Sequence, residues 1–202
     1  SIAIGIFANS TGLDSMAIGR KSKAIGDRAL SLGPDSRASG QTSIAIGSQS
    51  NALNVSSIAI GSSSNASSKG AIAVGISTKA YGNFSTALGY YANASANSAL
   101  ALGQRANATS ISSTALGHIA IASGDYSSAL GYGANASGLS STALGTQAKA
   151  INDYTTALGY EAKASGLRST AIGDSSNAAG SYSSAFGYDA NSEGDYASAF
   201  GY

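Results

Sequence analysis

The chain has 202 residues, of which 40 are Ala, 39 Ser and 26 Gly, while Leu, Ile, Val and Phe together number 35. With so few large apolar groups and a net charge of only +1, it can fold only by burying small side chains in a repetitive, closely packed scaffold. The absence of Cys and the single histidine, His118, exclude disulfide frameworks, thiol nucleophiles and Cys-ligated zinc, and no apolar run approaches the ~20 residues that span a bilayer.

The scaffold announces itself from the first coil. Glycine stands at Gly5, Gly19, Gly33, Gly47, Gly61, Gly75, Gly89, Gly103, Gly117, Gly131, Gly145, Gly159, Gly173, Gly187 and Gly201, always 14 residues apart. Two residues before each lies Ala, with Ser31 the exception, and one residue before lies Ile, Leu, Val or Phe. Halfway through most coils comes a second glycine, from Gly12 to Gly194; Asn54 and Asn152 replace it in two coils, which predicts a left-handed turn residue at that position. Two short alternating segments separated by turns, in constant phase, predict two parallel strands per coil of an all-β solenoid. Fourteen residues are too few for a helix, a strand and their turns. Coils stacked at about 4.8 Å would extend on the order of 67 Å.

Side-chain alternation assigns the faces. In Ser57-Ile58-Ala59-Ile60, residues 57 and 59 share one face and 58 and 60 the other. The small face must point inward, because the second strand offers only small partners such as Ser64 and Ala66. The large residue before each glycine therefore points out, forming a column of Ile4, Ile18, Leu32, Ile46, Ile60, Val74, Leu88, Leu102, Leu116, Leu130, Leu144, Leu158, Ile172, Phe186 and Phe200. A soluble monomer rarely exposes so long an apolar stripe, so side-by-side association is expected through it. The residue four after each glycine is Asn, Lys or Arg, except Ile121, which makes that flank the solvated one.

The pattern S-x-A-[IL]-G-x-x-[SA]-x-A-x-x-G, as in Ser43-Ile44-Ala45-Ile46-Gly47 continuing to Ser50 and Ala52, resembles the head repeats of YadA-type trimeric autotransporter adhesins over essentially the whole chain. The resemblance implies a left-handed parallel β-roll, a homotrimer, and display on the bacterial outer membrane through a stalk and anchor that lie outside these residues. It also implies binding to a host matrix protein of the collagen, fibronectin or laminin type, or to a host receptor of the carcinoembryonic-antigen-related type. A spacer without a ligand of its own is the alternative reading, with residues 1–202 forming a single repeat domain in either case.

Other chemistries find little support. No two glycines are four apart, so no G-x-S-x-G exists, and neither a Walker A loop nor a G-x-G-x-x-G follows a strand. The ten carboxylates are scattered and do not follow the nonapeptide spacing of calcium-binding rolls. No catalytic residue, cofactor or metal is expected. An ice-binding solenoid would use Thr86, Thr114, Thr142, Thr156 and Thr170, but parity places these beside the apolar column. Arg20, Lys21, Lys23, Arg28 and Arg37 form a basic patch near the start, yet the overall balance does not resemble a nucleic-acid-binding domain. Residues 1–101 carry seven basic and three acidic groups and residues 102–202 four and seven, an asymmetry suited to orienting the chain against an anionic glycan or matrix surface.

All eleven tyrosines lie from Tyr81 onward. Tyr126 with Tyr132, Tyr154 with Tyr160, Tyr182 with Tyr188 and Tyr196 with Tyr202 bracket the first strand of their coils, where rings can cover small neighbours. One coil breaks the surface rule: Gly117 is followed by His118, Ile119, Ala120 and Ile121. Stacking brings Tyr90, Tyr91, Arg105, His118, Ile119, Ile121 and Tyr132 into one strip, whose mixture of Tyr, Arg and aliphatic groups makes it the candidate ligand contact.

Overall fold

The computed structural model describes residues 1–201, which form two compact units that divide between Gln104 and Arg105. Each unit is an all-β parallel solenoid built from alternating three-residue and two-residue strands. In unit 1 the three-residue strands run from Ile2–Ile4 to Leu100–Leu102, and successive ones within the unit pair in parallel, as in Ile44↔Ile58, Ala45↔Ala59 and Ile46↔Ile60. The two-residue strands, from Asn9–Ser10 to Asn93–Ala94, form a second sheet with pairs such as Asn51↔Asn65 and Ala52↔Ala66. Unit 2 repeats this arrangement, with three-residue strands from Thr114–Leu116 to Ser198–Phe200 and two-residue strands from Asn107–Ala108 to Asn191–Ser192.

The core is one small side chain deep. Ala45, Ala59, Ala52 and Ala66 are fully buried, and the largest fully buried side chains are Thr78 and Thr155. Many inward hydroxyls reach a carbonyl three residues earlier: Ser43 Oγ donates to Gly40 at 2.6 Å and Thr78 Oγ1 to Gly75 at 2.6 Å. These bonds satisfy polar groups that water cannot reach. The small inward face expected from alternation is thus observed, and its size explains why Ala, Ser and Gly dominate the sequence.

The turns differ from the sequence expectation. Every seventh residue from Phe7 to Tyr196 has φ of 52–63°, and only two of these, Gly70 and Gly133, are glycines. Most of these turns close with a bond such as Ala8 N–H to the Gly5 carbonyl at 3.2 Å, and the left-handed residue is the third of its four, a place that ordinarily favours Gly or Asn. The halfway glycines, and Asn54 and Asn152 with them, are not left-handed. Gly138 answers to proximity instead: a Cβ there would lie 1.9 Å from the Asn152 carbonyl oxygen of the next coil. The repeat-marking glycines need both freedoms, since Gly47 has φ of 124° and a Cβ on it would lie 2.7 Å from Gly61 O.

A left-handed non-glycine costs on the order of 1–2 kcal/mol. The stack offsets this because most left-handed residues donate their N–H to the preceding coil, as Lys21 does to Ile6 at 2.8 Å and Tyr91 to Ile76 at 3.0 Å. Buried backbone groups left unpaired would cost as much or more.

Candidate functional site

The outward face of the three-residue-strand sheet carries the apolar column. In unit 1 its members stack in register, as Ile46 on Ile60 and Val74 on Leu88. A second outward column from Ile2 through Met16, Leu30, Ile44, Ile58 and Ile72 runs beside it, before giving way to Thr86. In unit 2 that second column is Thr or Ser, leaving Leu116, Leu130, Leu144, Leu158, Ile172, Phe186 and Phe200 as the apolar line. Within the single chain these residues are only partly covered; Leu32 is 39% exposed and Leu144 42%. The Phe186 and Phe200 rings stack at 5.2 Å.

Aromatic groups flank this face in unit 2. Tyr126, Tyr154, Tyr182 and Tyr196 are left-handed turn residues, which throws their rings to the outside. Arg168, at the same position in the intervening coil, fills the gap between rings: its guanidinium lies 5.3 Å from the Tyr154 centroid and 5.7 Å from that of Tyr182. Tyr182 stacks in turn on Tyr196 at 5.1 Å, with 5° between planes. The result is a ladder in which a cation replaces one ring. At the other end of the strand, a hydrogen bond and the charge of Glu161, aided by Asp174, raise the Tyr160 phenol above its ordinary pKa. Tyr202, named with Tyr196, lies outside the described residues.

The candidate ligand strip divides between the units. In unit 1 the Tyr90 and Tyr91 rings meet edge to face at 4.4 Å. In unit 2 the exposed His118 ring lies 5.3 Å from Tyr132, and Arg105 is exposed. Ile119, left-handed at φ 52°, leans over the next coil, its Cδ1 4.0 Å from where a Cβ of Gly133 would be. Ile121 sits on the two-residue-strand sheet between Asn107 and Asn135 and is 39% exposed. Arg168 lies 14 residues from both Tyr154 and Tyr182, a spacing that is legible in the sequence, but the contact itself emerges only once the coils stack.

A 14-residue coil with an inward Ala, an outward large aliphatic and a closing Gly is thus repeated through both units. The family model of the YadA head domain repeat matches it in fourteen overlapping segments, from 1–22 to 178–202. The chain belongs to the YadA head family. It is therefore an adhesin head, and every coil takes part in a match rather than a subset of them. The solved collagen-binding domain of the Yersinia adhesin YadA is 25% identical, over 75% of this chain and 69% of its own, with a TM-score of 0.37. No curated protein matches the chain as a relative.

Proposed function

We propose that this YadA-type head is the non-enzymatic, ligand-presenting part of a bacterial cell-surface adhesin, that it assembles side by side as a homotrimer, and that its ligand is a host matrix protein or cell-adhesion receptor. The observation that carries the assembly is the apolar column: partly exposed Ile and Leu side chains in register through successive coils form a surface that a soluble protein covers. Family membership supports three-fold order, outer-membrane display and this class of ligand.

Ligand contact is assigned in unit 2 to the coil that breaks the surface rule, through His118, Ile119 and Ile121 with Arg105 and Tyr132 beside them. Aliphatic groups ringed by Tyr and Arg suit a contact centre, and a trimer would present it three times, raising avidity for clustered receptors. The test is a binding panel of collagen, fibronectin, laminin and receptor ectodomains against the chain and against a double variant, Ile121→Asn with Tyr132→Ser. Saturable binding to one panel member, weakened about tenfold or more by the double variant, is expected. Silence across the panel would instead favour a spacer.

A further inference from the structure

The two-residue-strand sheet of unit 1 carries two grooves on its outward side, built from the same coil positions. One, of about 360 Å³, is lined by Lys21, Lys23, Asp35 and Arg37, with Phe7 and Asn51 at its ends. Lys23 pairs in register with Arg37, and Arg37 with Asn51, so the two cations rise from adjacent coils about 4.8 Å apart. Asp35 is engaged by Arg20, whose Nη2 donates to its Oδ2 at 2.9 Å in the one ion pair among the described residues. Lys21, Lys23 and Arg37 consequently face the opening with no carboxylate bonded to them.

The other groove, of about 310 Å³, is lined by Ser77, Lys79, Tyr81, Tyr91, Asn93 and Ser95. Tyr81 is 40% and Tyr91 49% exposed, and Lys79 lies in register between Asn65 and Asn93. Arg37 and Lys79 are three coils apart on the same face, roughly 14 Å at the stacking distance of parallel strands. Phenol rings beside a cation, an amide and hydroxyls suit a sugar: the C–H face of a pyranose lies on the ring, while its hydroxyls bond the polar groups.

We propose that this face of unit 1 binds a linear sulfated polysaccharide, with its sulfate groups held by Lys21, Lys23 and Arg37 and one sugar ring of the same strand by Tyr81, Lys79 and Tyr91. Both grooves are open, and their aromatic groups, Phe7, Tyr81 and Tyr91, are exposed rather than forming the buried aromatic anchor that centres a protein interface. The sequence pI of about 7.9 is far from the strongly basic footprint of a nucleic-acid binder. The inference goes beyond the protein ligand proposed above and does not depend on it.

Heparin is the probe, titrated into the whole 202-residue protein at near-physiological salt and read by calorimetry. Saturable binding that weakens as salt screens the charges is expected, together with much weaker binding of fully desulfated heparin. Lys23→Gln with Arg37→Gln should cost about tenfold or more in affinity, and Tyr81→Ser a smaller loss without change in salt dependence. Lys149→Gln with Lys163→Gln removes two exposed cations from the equivalent sheet of unit 2 and should change affinity less than about twofold. Absence of saturable binding by the unmodified protein would overturn the proposal. So would equal binding of desulfated heparin, equal loss in the unit 2 variant, or single-stranded DNA binding as tightly as heparin.

Discussion

Phe7, Tyr91 and Ile119 all occupy left-handed turn positions, which bulky and β-branched side chains ordinarily avoid. Sequence reasoning looked for the left-handed residue at the halfway glycine, where composition points. The true position, two residues later, accepts almost any side chain and so leaves no compositional trace; at most of these positions, Tyr91 among them, an N–H bond to the preceding coil supports the conformation. The strain is still there to be released. Ser98, exposed and left-handed at φ 55°, should stabilise the protein by up to about 1 kcal/mol when changed to Gly and destabilise it by a comparable amount when changed to Val. Thermal unfolding measures both, and a lower melting temperature for Ser98→Gly would contradict the turn assignment. At Tyr160 the prediction concerns charge. Glu161 raises the phenol's pKa by disfavouring the phenolate, so Glu161→Gln should lower it towards the ordinary tyrosine value. A pH titration of the assigned tyrosine resonance, compared between the two proteins, reports the shift directly; an unchanged value would remove Glu161 as the cause.

The individual coil is the element that alternation describes best. Parity placed Ala59 inside and Ile58 and Ile60 outside, and the register Ala45↔Ala59 and Ile46↔Ile60 repeats that choice coil after coil. Pairing was legible for the same reason that it is stable: a shift by one residue would drive Ile60 into a core whose largest side chain is Thr. The grooves of unit 1 were less legible. The basic residues announced a patch, but Tyr81 beside Lys79 shows no significance until the second sheet sets both on one face. Because the left-handed residues recur every seven positions while strands of three residues alternate with strands of two, the backbone nearly repeats twice per coil and the side chains do not. Deleting residues 48–61 therefore removes one coil in phase and should cost little beyond one neighbour interface. Deleting 55–61 would set Ile and Leu columns against Asn and Lys columns, and should abolish cooperative unfolding. Denaturant melts of equal midpoint for the two deletions would contradict the 14-residue unit.

For the whole molecule, the weight rests on what covers the apolar columns. Away from the end coils, each unit buries its Ala and Ser core but leaves Leu32, Ile60, Leu144 and Leu158 more than a third exposed. Association through these side chains resolves that exposure, and charge placed there should prevent it. Leu144→Asp with Leu158→Asp, adjacent in register, would bury unpaired carboxylates at the interface and should dissociate or unfold the assembly, whereas Lys149→Gln with Lys163→Gln should not. The most direct measurement is sedimentation equilibrium of the unmodified protein. The account predicts a single species of three times the 19.7 kDa chain mass, and a stable, folded monomer would contradict it.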